Sequence, residues 1–190
     1  MYRYGVALTT LIMTLWLCAC DGKPVQDQAD SSTVTTLPTP AVTTALPEPV
    51  AAALAELASM CSEVSGTPRT DNAVRRIDLN GDGHDDYILF AGWITCENAW
   101  SIYGDREKIL DVFAGDGSNG AALAFAASVF DARTDTADGG QTLWLTISGE
   151  GCGRPPAATF AEESFCERAI VAQGPARFEF APVNTVRMIE

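Results

Sequence analysis

The chain has 190 residues, with 25 Asp and Glu against 12 Lys and Arg, a formal net charge of −13 and a single histidine, His84. An acid excess of that size excludes a nucleic-acid-binding surface and electrostatic docking on an anionic bilayer, and one imidazole excludes a two-histidine zinc site within one chain. With 47% hydrophobic and 19% charged residues, the chain has enough apolar surface to fold, and one domain is the default reading.

Behind Arg3, residues 6–19 form an uncharged, mostly apolar run. At 14 residues it falls short of the roughly 20 needed to span a bilayer as a helix, so it reads as the core of a secretory signal. The run ends in Leu17-Cys18-Ala19-Cys20, which resembles a bacterial lipobox. That resemblance implies a signal peptide over 1–19, cleavage after Ala19, and a diacylglyceryl anchor on Cys20. It also implies a lipoprotein held in the bacterial cell envelope, at the periplasmic face of the inner or outer membrane. Asp21 resembles the signal for inner-membrane retention in enterobacterial lipoproteins, a rule that does not transfer to all bacteria. Acyl chains, not charge, would bind the membrane, each buried CH₂ contributing about 0.8 kcal/mol.

Residues 20–48 read as a lipidated Thr/Pro-rich tether, with Pro24, Pro38, Pro40 and Pro47 and no aromatic residue. Proline fixes φ and removes backbone donors, so such a stretch favours extended, solvated chain over packed structure. At about 3.1 Å per residue it reaches on the order of 80 Å. A single globular domain is expected over 49–190. It opens with a helix over 49–62: Pro49 suits the first helical turn, and Val50, Leu57 and Cys61 with Leu54 fall on one face,. Cys61 lies on that buried stripe, where a disulfide to a sheet is expected.

The pattern then shifts to short strand-like runs: 87–93, apolar on both faces, then 109–114, 122–130, 143–147 and 178–180,. No amphipathic helix of sufficient length separates them, which argues against βαβ crossovers. The predicted fold class is α+β, an N-terminal amphipathic helix packed on a mainly antiparallel β-sheet, with two disulfides. Removal of Cys18 and acylation of Cys20 leave Cys61, Cys96, Cys152 and Cys166 in an oxidising compartment. Four cysteines allow three pairings, and spacing does not choose among them.

The informative loop is Asp78-Leu79-Asn80-Gly81-Asp82-Gly83-His84-Asp85-Asp86. Calcium takes six to eight oxygens at about 2.3–2.6 Å, so a chain curling around it must offer oxygen at alternate residues. Asp78, Asn80, Asp82 and Asp86 do so with side chains, His84 with its carbonyl, and Gly83 permits the sharp turn. A cation also explains the crowding of carboxylates, which otherwise repel one another. Position 12 is Leu89, where an EF-hand has a bidentate glutamate, and the following residues read as strand.

This EF-hand-like loop is closer to the calcium loops of FG-GAP or VCBS-type repeats, which it resembles in its Asp-Leu-Asn-Gly-Asp-Gly-x-x-Asp spacing. The chain as a whole resembles short secreted or lipid-anchored proteobacterial proteins of unknown function, which carry one such loop. In these an apolar strand then runs into a cysteine (here Cys96), and a later Gly-Cys-Gly (151–153) precedes another cysteine (Cys166). The resemblance implies the pairs Cys61–Cys96 and Cys152–Cys166, the latter closing a loop of about 15 residues that contributes about 3 kcal/mol in the chain-entropy model. A single loop does not imply a propeller, and the family supplies no activity.

Catalytic constellations are thin. A Cys152 nucleophile lacks a base, because the one histidine sits in the calcium loop. Glu162 and Glu163 are adjacent in a polar stretch and read as a solvated face. Trp93, Trp100 and Trp144 suit a buried core better than a carbohydrate platform. The expected function is therefore a lipid-anchored, non-catalytic binding or envelope-structural module with structural Ca²⁺, and an envelope protein or glycan as its partner. The competing reading is a calcium-dependent hydrolase acting on saccharide or peptide.

Overall fold

The computed structural model describes residues 45–99, 102–104, 106–137 and 140–189. The expected signal peptide, Cys20, the expected tether up to residue 44 and Trp100 lie outside them. Helix α1 (Glu48–Glu63) starts with Pro49 in its first turn, where a missing N–H costs no helical bond,. Its buried face is Val50, Leu57 and Cys61. Pro47 is buried and Leu46 packs against the same cluster, so ordered packing begins before the predicted boundary at 49.

Eleven strands follow among the described residues. The first sheet has the order β2-β3-β5-β6, built from β2 (Val74–Ile77), β3 (Asp86–Phe90), β5 (Lys108–Gly115) and β6 (Ala121–Val129). The second runs β10-β9-β8-β7, from β7 (Asp131–Ala137), β8 (Gly140–Ser148), β9 (Phe165–Ala172) and β10 (Phe178–Phe180), with β11 (Arg187–Met188) also on β9. A small pair joins β1 (Thr67–Arg69) to β4 (Thr95–Glu97). Each of these pairings is antiparallel.

This corrects the expected α+β class of an N-terminal helix on one sheet. Among the described residues the protein is mainly β, and the single α-helix there begins at Glu48. The physical reason lies in the core. Ile88, Phe90, Leu110 and Val112 of the first sheet meet Leu143, Leu145, Ile147 and Ile170 of the second in one cluster, so sheet covers sheet,. The helix covers only the opposite face of the first sheet, through Leu57, Tyr87, Leu89 and Phe113. Strand β3 lies between these layers, and all five of its residues are buried. That accounts for the apolar character of both its faces. Tyr103, whose hydroxyl donates to the Leu57 carbonyl at 2.9 Å, ties the β4–β5 connection to α1.

Both disulfides form, Cys61–Cys96 and Cys152–Cys166. The first pins α1 to β4, and the second pins a short 3-10 turn, Gly149–Cys152, to β9. All four cysteines are buried. Two such bonds place the domain in an oxidising, extracytoplasmic compartment. No helix among the described residues is long and apolar enough to cross a membrane.

Candidate metal site

The 78–86 loop connects β2 to β3 at the end of the first sheet where the 115–120 turn, between β5 and β6, also lies. Gly81 and Gly83 have φ of +78° and +85°, a left-handed conformation that side chains resist,. These two residues let the chain double back, so that side-chain oxygens meet the loop's own N–H groups. The Asp78 carboxylate accepts from Gly81 N–H at 2.7 Å and Gly83 N–H at 3.0 Å. Asn80 Oδ1 accepts from Asp82 N–H at 2.9 Å, and Asp82 Oδ1 from His84 N–H at 2.8 Å. Asn80 Nδ2 donates to Asp82 Oδ2 at 3.0 Å and to the Pro175 carbonyl at 3.1 Å, linking the loop to the β9–β10 turn.

Asp86 is different. It is the first residue of β3 and the buried charged residue of the core. Its Oδ2 accepts from Leu79 N–H at 2.9 Å, and its Oδ1 from Gly115 N–H at 3.2 Å. One carboxylate therefore fastens both ends of the turn to β5. Burial pushes the Asp86 carboxyl above the usual carboxylate range, the two N–H bonds oppose that rise, and the charges of Asp82 and Asp78 add to it,.

Of the expected ligands, Asp78, Asn80 and Asp82 thus line the turn in sequence, while Asp86 faces Leu79 and Gly115. The His84 imidazole is exposed and lies over Gly117, where any Cβ would meet it at 2.4 Å. Among the described residues no three Asp, Glu, His or Cys side chains converge on one point. What the turn offers a hard cation is oxygen at alternate residues, two left-handed glycines, and Asp82 and Asp78 near enough to Asp86 to add to its rise.

The loop also borders a cleft of about 560 Å³, to which Glu48, Asp82, His84, Asp116 and Asn119 contribute. Asp116 is spent on its own turn: its Oδ1 accepts from Ser118 N–H at 2.8 Å, Ser118 Oγ at 2.9 Å and Gly120 N–H at 2.9 Å. Those bonds hold its carboxyl below the usual range.

The other candidates are placed plainly. Cys152 is bonded to Cys166, and its Sγ lies 3.4 Å from the Ile147 carbonyl, which removes it as a nucleophile. Glu162 is exposed in a single 3-10 turn and Glu163 follows it. Trp93 packs edge-on to Phe90 with the Arg75 guanidinium 3.8 Å over its ring. Trp144 carries Arg187 at 3.6 Å over its ring. Sequence reasoning missed Gly115, whose N–H anchors Asp86 from β5; nothing in its Gly-Asp-Gly context marks that long-range bond. No protein family matches the chain, and neither the curated proteins nor the solved structures give a match.

Proposed function

We propose that this is a lipid-anchored, non-catalytic module of the bacterial envelope whose 78–86 loop takes Ca²⁺ as a structural ion. The observation that carries the reading is the loop itself. Four residues, Asp78, Asn80, Asp82 and Asp86, present side-chain oxygen on a turn that two left-handed glycines close, and the carboxylate of Asp86 is buried beside two others. Asp78, Asn80 and Asp82, with the His84 carbonyl and Asp86, would hold the ion. Bound calcium supplies positive charge that offsets their repulsion. The chain's own residues order the turn, fasten it to β5 and join it to the β9–β10 turn. Lacking a bidentate closing glutamate, the site suits affinity near the roughly 10⁻⁴–10⁻³ M of extracellular modules. The exported, oxidising location that the disulfides require agrees with the lipobox.

Thermal melts test the metal. Calcium should raise the Tm relative to EGTA, by an amount that grows with calcium concentration, and Asp82→Ala should abolish the difference. Identical melts of the parent protein in calcium and EGTA would refute the site. Intact mass of the protein extracted from native membranes tests the anchor: cleavage before Cys20 with added diacylglyceryl mass is expected, and a retained Met1 would refute it.

A further inference from the structure

We propose that the contact between α1 and β5 is a pH-sensitive clasp, in which Asp111 on the strand lies beside Glu56 on the helix and the sheet holds α1 more firmly in acid than at neutral pH. The two carboxylates line one small cleft of about 210 Å³ with Ala53, Leu57, Met60 and Ile109. Asp111 is paired across the sheet with Leu89 of β3 and Ala126 of β6, and Leu89 packs in the cluster beneath α1. Asp111 therefore belongs to the face that the helix covers, and it is half-buried there.

No cation answers this pair. Helix α1 carries Glu48, Glu56 and Glu63 and no basic residue, and β6 carries no charge. The titratable residues of β3 are Asp86, fastened to Leu79 and Gly115, and Tyr87. On β5 itself, Lys108 donates its ammonium to the Arg106 carbonyl at 3.0 Å. From the β4–β5 connection, Tyr103 gives its hydroxyl to the Leu57 carbonyl. No lysine or arginine lines the cleft.

Burial of Asp111 is thus not offset by any partner. It pushes the carboxyl above the usual carboxylate range, and the charge of Glu56 adds to the rise,. A raised folded value means that the folded protein holds this proton more tightly than the unfolded chain does. The contact is at full strength below the usual carboxylate range and weakens as pH rises through the raised value. The Cys61–Cys96 bond and the Tyr103 hydroxyl on Leu57 fix the second half of α1. The weakening therefore falls on the turns before Leu57.

Hydrogen exchange of the full chain, compared with its variants at each pH, tests the clasp. At neutral pH Asp111→Asn, which keeps the shape and removes the charge, should slow exchange of the α1 amides before Leu57 by about twofold or more. Glu56→Gln should slow it by less, and in acid both differences should vanish. Carbon NMR of the side-chain carboxyls reads the parent protein directly: Asp111 should titrate above the usual aspartate range, and Glu56→Gln should bring it down. Each result is expected alike in calcium and in EGTA, so the outcome does not turn on the metal. An Asp111 that titrates at or below the usual range would overturn the proposal. So would variants that exchange like the parent at neutral pH, or variants that slow exchange equally in acid.

Discussion

The 78–86 loop and the 115–120 turn sit side by side at one end of the first sheet, and they treat carboxylates in opposite ways. Asp116 stands alone and receives three donors from its own turn, which hold its carboxyl ionised below the usual range. The 78–86 loop crowds Asp78, Asp82, Asp85 and Asp86 into nine residues, and its backbone N–H groups are divided among Asp78, Asn80, Asp82 and Asp86. Asp86, the buried one, is pushed the other way despite two N–H bonds. The lesson is that burial and donors act together: exposed Asp116 has three donors, whereas Asp86 has two and is desolvated,. One exposed acid with three donors is held ionised by its own turn, whereas the proposed Ca²⁺ would offset the crowding of acids in the other loop. Glu167 on β9 shows a third arrangement, in which the chain supplies the cation. Arg133 of β7 grips it with two donors, one from Nε and one from Nη2 at 2.6 Å, and lowers its carboxyl.

The largest expected effect breaks the loop's hold on the sheet. Asp86→Ala orphans the Leu79 and Gly115 N–H groups and should cost about 2–4 kcal/mol in a denaturation curve. It should also erase any stabilisation by calcium. Asp86→Asn, which keeps one acceptor, should recover part of the loss.

A smaller effect belongs to Glu167. Its folded carboxyl lies below its unfolded value, so its stabilisation is present above the usual carboxylate range and disappears as pH falls through the lowered folded value. Glu167→Gln should therefore destabilise at neutral pH and converge with the parent protein in acid, whatever the calcium concentration. With Arg133 42% exposed, solvent screening keeps the neutral-pH difference below about 1 kcal/mol. A difference that persisted at low pH would show that packing, not charge, is being measured.

The smallest effect is at Asp116. Removing the acid in Asp116→Ala should lower the Tm slightly and by the same amount in calcium and in EGTA, since that turn is complete without a cation. A calcium-dependent loss there would erase the distinction between the two turns.

Much of the candidate site was legible because its signal is local. Oxygen at residues 78, 80, 82 and 86 and glycine at 81 and 83 are positions along one turn, and the structure closes that turn on the residues named. The helix was legible for the same reason: the apolar period of Val50, Leu57 and Cys61 is its buried face. Strand β3 was found because burial on both faces leaves no polar alternation. Strands β2 and β7 were not, since Val-Arg-Arg-Ile and Asp-Ala-Arg-Thr-Asp-Thr-Ala are edge strands whose outward side chains are charged. Their strand state comes from pairing to the next strands along the chain, β3 and β8, and not from an apolar pattern of their own.

The sequence by itself determined an acidic chain, its helix, strands β3, β5 and β8 and a turn rich in oxygen donors, because each of these is written in neighbouring residues. Only the tertiary structure decided that two sheets face each other, that the helix is confined to one outer face, and that Cys61 meets Cys96 and Cys152 meets Cys166. The same is true of Asp86, which became a buried clamp only when Gly115, 29 residues away, was brought to its second oxygen. The physical reason is common to all of them: burial and hydrogen bonding act between residues adjacent in space, and chain order alone does not specify those neighbours.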